Sequence, residues 1–372
     1  FNACDSLAEI TIPGSVKSIP KYALMQCSAL QKVTIGEGIE EICFGAFQLC
    51  ESLQIIEIPS TLKILDSEAF ISTPSITNFI VSSNNNYFCG DNGILYNKDK
   101  TKLIRYTTGN EAETFIIPEN IKSLSGTAFR DSNNLKTIQF NEYITEIPTA
   151  CFMFCENLVN VKLSSSITYI GDSAFRSCGK LQNIIIPETV NKLGGAVFLY
   201  CNSLQTVDIK GNLLQMGNGV FRECTELTNI TIPQTLEKIG TSVFDKVKGP
   251  VNYYSNNTTM SNYVQTSSDN TIFKNLGEKV LTSISIQTAK TTYLQGEDFD
   301  KSEMIVIATY NDGTSIPVTN YTVLDGNNLT VEKTSVTISY TENGVAKTAI
   351  QTITVETKAV TGITVTPSTT KW

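Results

Sequence analysis

Apolar residues recur at a fixed interval over most of this chain. Phe152, Phe175, Phe198, Phe221 and Phe244 follow one another every 23 residues. Three residues after the first four come Cys155, Cys178, Cys201 and Cys224. Six after come Leu158, Leu181, Leu204 and Leu227. Nine and eleven after come the aliphatic pairs Val161/Leu163, Ile184/Ile186, Val207/Ile209 and Ile230/Ile232. The Leu-x-x-Ile-x-Ile segment alternates with period two, which predicts a short strand with its aliphatics on one side. A Pro or Gly often follows and stops it, as at Pro13, Gly36, Pro59, Pro118, Pro187 and Pro233. A second apolar pair comes next, such as Ile144/Ile147, Ile167/Ile170 or Leu236/Ile239, and Ala-Phe or Val-Phe closes the unit. A period of this length means a repeat architecture. One unit cannot bury this much apolar surface alone, but stacked units cover one another.

The same interval extends backwards. Phe1, Leu24, Phe47 and Phe70 start four coils, and Tyr106, Phe129, Phe152, Phe175, Phe198 and Phe221 start six more. Nine coils are 23 residues long and the one from Phe70 to Tyr106 is 36, so it holds a 13-residue insertion. Ten strands at about 4.8 Å spacing give a parallel sheet roughly 45 Å long. The pattern Phe-x-x-Cys-x-x-Leu-x-x-Ile-x-Ile-Pro, then Ile-x-x-Ile-Gly-x-x-Ala-Phe, resembles the BspA-like leucine-rich repeat family over about residues 1–250. The resemblance implies a right-handed leucine-rich-repeat solenoid with short parallel strands. It also implies a bacterial protein that is secreted or surface-anchored, and some members of the family act as adhesins.

Three segments depart from the period. Between Val81 and Phe115, Gly93-Ile94-Leu95-Tyr96 and Leu103-Ile104-Arg105-Tyr106 flank the polar Asn97-Lys98-Asp99-Lys100. This reads as a β-hairpin within residues 82–106, projecting from the solenoid edge. Tyr96 and Arg105 are then candidate contact residues, although a decorative loop fits equally. After Phe244 the interval fails, and the polar run from Asp245 to Gly277 reads as the closing cap of a solenoid spanning residues 1–277. From residue 278 to 357 the pattern becomes β-branched alternation: Ile284-x-Ile286, Val306-x-Ala308-x-Tyr310, Val336-x-Ile338-x-Tyr340 and Ile350-x-x-Ile353-x-Val355. Turn sequences Asn311-Asp312-Gly313 and Asp325-Gly326-Asn327-Asn328 lie between them, which suggests an all-β sandwich. Thr292-Tyr293-x-x-Gly296-Glu297-x-Phe299-Asp300 with Tyr310-Asn311-Asp312-Gly313-Thr314 resembles bacterial Ig-like stalk domains. Residues 358–372 read as a linker and, at Val360–Val365, the first strand of a second such domain.

Composition narrows the function. Net charge is −8 with no basic cluster, which argues against nucleic acid or an anionic membrane surface as partner. No apolar run approaches the ~18 residues that suggest a membrane helix. The first residue falls on a repeat landmark, so the chain reads as a piece of a longer protein. There is no histidine, which removes Ser-His-Asp, Cys-His and His-metal chemistry together. Of the ten cysteines, seven share one repeat position: 4, 27, 50, 155, 178, 201 and 224. Stacked coils bring them within disulfide range at Cα, yet in-register Cβ bonds point the same way. Thr73, Gly109 and Ser132 hold the same position in other coils, so a small residue is wanted there and the column reads as buried free thiols. Neither zinc nor another metal site, no cofactor and no catalytic residue is expected; the carboxylates do not pair convincingly.

The outward strand positions, eight and ten residues after each landmark, are mostly small and polar. Ile55, Ile80 and Ile116 interrupt them on three consecutive coils. These three with Glu57, Gln139, Lys162, Ile185 and Asp208 form the candidate binding face, because contiguous exposed apolar groups mark contact surfaces. The expected function is non-catalytic adhesion by an extracellular or wall-attached, monomeric protein to a protein or glycan on a host or neighbouring cell. The alternatives are a structural spacer and an ancillary region of a larger extracellular enzyme.

Overall fold

The structure, a computed structural model, describes residues 1–267, 270–358 and Gly362. The strand expected over Val360–Val365 therefore lies outside the described residues, apart from Gly362. The chain divides into two compact units, Phe1–Gly277 and Glu278–Trp372.

The first unit is a stack of coils in which residues 23 apart are neighbours. Its front strands pair in parallel, Glu9 beside Lys32, Lys32 beside Ile55 and Ile55 beside Asn78. The same register joins Thr114, Thr137 and Asn160, and then Asn183, Thr206 and Asn229. Two-residue rear strands stack behind them, as at Glu146–Ile147, Tyr169–Ile170 and Lys192–Leu193. Alternation decides which side chains go inside: Val33, Ile56, Ile138, Ile184 and Ile230 are buried and their neighbours face out.

The third side of each coil is a turn around the aromatic landmark. From Phe129 to Phe244 the rings stack face to face with centroids 4.8 to 5.8 Å apart and planes within 14° of parallel. Residues two before and two after the landmark adopt left-handed backbone, including Ala150 (φ 55°), Phe154 (φ 62°), Ala196 (φ 55°) and Tyr200 (φ 63°). That conformation costs a non-glycine residue about 1–2 kcal/mol. It persists because the turn amides donate to the next coil: Ala150 N–H to Asp172 O and Phe152 N–H to Ala174 O, both at 2.8 Å.

All ten cysteines are free. In the column each buried thiol donates to the landmark carbonyl of the preceding coil, Cys155 to Phe129 O at 3.0 Å, Cys201 to Phe175 O at 3.1 Å and Cys224 to Phe198 O at 3.1 Å. Cysteine suits the position as a small, apolar side chain that is also a weak donor.

Ten coils is too few. The front sheet gains two more parallel strands after the last 23-residue coil, Val251–Tyr253 and Phe273–Asn275, giving about twelve turns. Helix α1 (Thr258–Thr266) lies between them in sequence and packs against the rear strand Lys238–Ile239. Asn257 caps it: its Oδ1 accepts from Met260 N–H at 2.9 Å, while its Nδ2 donates to Pro233 O and Leu236 O. The polar composition of this segment concealed strands that differ in length from the repeat, so the interval could not register them.

The insertion also differs from expectation. It is a three-stranded antiparallel meander, Phe88–Asp91, Ile94–Asn97 and Lys102–Arg105, whose last strand pairs in parallel with the rear strand Ser123–Leu124. Its first turn is Asn92-Gly93, with φ of 49° and 80°, a hairpin signal. The meander does not project. It stands across the interior as a septum and divides the core of the first unit into two clusters. Phe88, Leu95 and Ile104 face the N-terminal cluster; Ile94, Tyr96 and Leu103 face the C-terminal one. A sheet apolar on both faces is a buried sheet.

In the second unit, Leu281–Thr288, Ile305–Tyr310 and Ser315–Val318 form one antiparallel sheet. Thr322–Val323, Ser335–Glu342 and Val345–Thr352 form another, and Thr292–Leu294 pairs in parallel with Thr354–Glu356. Tyr293, Val306, Ala308, Val336 and Ile338 make its core, whereas Ile350 is exposed.

Candidate functional site

The outer face of the front sheet is built by the odd positions of each strand. Lys32 and Glu57 sit diagonally on adjacent strands and pair at 2.9 Å; Thr34 also donates to Glu57 at 3.2 Å. The Lys32 hydrogen bond is the largest cause holding the Glu57 carboxyl below its ordinary range. Ile55 is half-buried beside Lys32 and Asn78, and Ile80, beside Glu57, is 47% exposed. Further along, Ile116 is 60% exposed and begins a row with Gln139 and Lys162. Ile185, 56% exposed, lies beside Asp208, which pairs with Lys210 at 2.7 Å.

Ile55, Ile80 and Ile116 do not make one continuous row. The strand carrying Ile80 has no pairing with the strand carrying Ile116, because the septum fills the gap. Phe79 N–H donates to Gly93 O at 3.3 Å. A Cβ on Gly90 would lie 2.3 Å from Phe79 O, so only glycine permits this approach. The face is therefore two patches on either side of the septum.

Tyr96 and Arg105 are not contact residues. Tyr96 is 7% and Arg105 2% exposed, because both belong to the septum. Burial pushes the Tyr96 hydroxyl up to about 12 and the Arg105 guanidinium down to about 10. Arg105 instead ties its own coil to the next: Nη2 donates to Phe70 O at 3.2 Å and Nη1 to Thr127 O. Two further bonds cross the same gap, Ser72 N–H to Asp131 Oδ2 at 2.9 Å and Thr127 Oγ1 to Ser67 O at 2.7 Å.

A second concave feature has no counterpart in the expectations. A cleft of about 950 Å³ lies between α1 and the turns around Phe221 and Phe244, lined by Arg222, Glu223, Asp245, Lys246, Asn262 and Tyr263 among others. The sequence did hold a signal for it. Arg222-Glu223 and Asp245-Lys246 occupy matching repeat positions with the charge order inverted, so stacking sets opposite charges side by side. Among the described residues, no group of three or more His, Cys, Asp or Glu converges in a way that holds a metal ion. Among the same residues, no helix is long and apolar enough to cross a membrane.

The model of the BspA type leucine-rich repeat region matches residues 1–100, 106–227, 145–276 and 215–341. The chain belongs to the BspA-type leucine-rich repeat family. No curated protein matches it. Among solved structures, this BspA-type chain is similar to a leucine-rich cell surface protein from Faecalibacterium prausnitzii, at 26% identity and a TM-score of 0.57, over 64% of this chain and 61% of that one. It is also similar in fold to the pneumococcal vaccine antigen PcpA, at 23% identity and a TM-score of 0.55, over 73% of this chain and 67% of that one. The chain thus spans less than two thirds of the Faecalibacterium protein's length.

Proposed function

We propose that this BspA-type chain belongs to a non-catalytic cell-surface protein that binds a protein partner through the outer face of its front sheet. The observation that carries this reading is the exposure of Ile80, Ile116 and Ile185 at outward strand positions that otherwise carry mostly polar and charged residues. Exposed apolar groups grouped on one surface mark contact sites, and repeat proteins present extended surfaces of this kind. A surface location is supported by family membership and by the Faecalibacterium relative, which is a cell surface protein. The second unit is read as an Ig-like stalk module, supported by its two antiparallel sheets and its Asp312-Gly313 turn.

The test is a solid-phase panel of purified extracellular matrix and epithelial surface proteins, probed with the intact chain. At least one should be retained, and Ile116→Asp with Ile185→Asp should abolish retention without changing the circular dichroism spectrum. Retention undiminished by both substitutions would sink the proposed face. No retention on any panel member would favour a spacer.

A further inference from the structure

The cleft beneath α1 carries four charged side chains that have no partner. Elsewhere in the stack, opposite charges in neighbouring coils close on one another: Lys63 with Glu40 at 2.8 Å, Lys32 with Glu57 at 2.9 Å and Lys248 with Glu226 at 3.4 Å. In the cleft, Arg222 shares a repeat position with Asp245, and Glu223 with Lys246. Their turns are joined, with Glu223 N–H donating to Asp245 O at 2.8 Å. Yet none of the four side chains makes an ion pair or side-chain hydrogen bond among the described residues, and nor does the Asn262 amide. Glu223 and Lys246 both sit in left-handed conformation, φ 63° and 67°, like most other residues two after a landmark.

The walls are held in place independently of any ligand. Met260 is fully buried and seats α1. The Tyr263 hydroxyl accepts from Val243 N–H at 2.9 Å, and its ring meets Phe244 and Phe273 edge-on at 6.0 Å. Ile239, Phe244, Val247 and Ile272 are its apolar lining residues among a majority of polar ones. Its volume, about 950 Å³, lies within the ordinary size range of small-ligand sites.

The charge balance selects the ligand. Two cations and two carboxylates sum to zero. A phosphate, nucleotide or acidic peptide would meet Glu223 and Asp245; a polycation would meet Arg222 and Lys246. A neutral ligand rich in hydroxyl groups suits both pairs, because each hydroxyl donates to a carboxylate and accepts from a guanidinium, ammonium or amide. Its C–H faces suit the isoleucine and aromatic lining residues. We propose that this cleft binds a short neutral oligosaccharide. The site is separate from the sheet face and stands whether or not that face binds protein.

The experiment probes the intact chain against an array of neutral, sialylated and sulfated oligosaccharides. The strongest neutral glycan is then titrated by calorimetry. Asp245→Ala and Asn262→Ala should each weaken it by about tenfold, the loss of one hydrogen bond to a charged group or a comparable polar contact. Both variants should keep the parent melting temperature, and Ile116→Asp should leave glycan affinity unchanged. The proposal is overturned if no neutral glycan binds above background, if only charged glycans bind, or if neutral binding survives both cleft substitutions.

Discussion

Raising the pH above the thiol range should unfold the repeat unit, and the cysteine column is the reason. Burial pushes the thiols of Cys50, Cys155 and Cys201 up to about 12. The same burial raises Cys151, Cys178 and Cys224. An exposed thiol in the unfolded chain titrates near 9.0. The folded state therefore holds these protons more tightly than the unfolded state. Their contribution to stability is complete below 9.0 and is lost as pH climbs from there towards the folded value. At about pH 10 the unfolded thiol is mostly ionised and the folded one is not, which costs on the order of 1 kcal/mol per thiol. Summed over the buried thiols this amounts to several kcal/mol, a large share of the roughly 5–15 kcal/mol that holds a typical domain together. The assay is urea unfolding by circular dichroism near pH 7 and near pH 10, for the parent and for Cys201→Ala alone and with Cys178→Ala. Each thiol removed should narrow the difference between the two pH values by on the order of 1 kcal/mol, whatever the substitution costs at neutral pH in packing and in the lost S–H bond. An unchanged difference would show that these thiols titrate alike in both states and would refute the buried column.

The septum should insulate the two halves of the repeat unit. Leu95→Ala and Leu103→Ala each remove a fully buried leucine, at about 2–5 kcal/mol. Leu95→Ala should speed amide exchange by roughly a hundredfold in coils before residue 88, and Leu103→Ala should do so in coils after residue 106; equal loss on both sides would mean one cooperative unit. The left-handed turns offer a stabilising change. Gly45 and Gly219 already occupy the position two before the landmark with φ 61°. Ala196→Gly should raise the urea midpoint by the equivalent of about 0.5 kcal/mol, the relief of strain less the extra entropy of the unfolded glycine. A lower midpoint would show that the turn is not strained.

What could be read in advance follows from how a stack works. At a fixed register, residues one period apart become spatial neighbours, so a list of columns is already a contact map. That is why the Phe129–Phe244 ring stack, the thiol column and the alternation of Val33 with Thr34 or Ile184 with Ile185 were legible. The cap strands were not, because Val251–Tyr253 and Phe273–Asn275 follow at spacings of 21 and 22 residues rather than 23. The Asn92-Gly93 turn was a readable hairpin signal that passed unread, and with it the strand Phe88–Asp91. Tyr96 and Arg105 were misplaced for a different reason. A strand apolar on both faces reads the same whether it projects or is enclosed, and only the position of the neighbouring coils decides.

The sequence by itself determined the repeat, its boundaries to within two turns, the inside and outside of nearly every coil, and the free state of a cysteine column that resembles a disulfide framework. All of these are properties of a period, and a period survives without knowledge of the third dimension. Tertiary structure alone decided that the insertion is an internal septum and that the isoleucine row is split by Gly90 and Gly93. It alone placed Arg222, Glu223, Asp245 and Lys246 opposite the side chains of α1. Each of those outcomes joins a periodic segment to a non-periodic one, and no spacing in the chain encodes where the two meet.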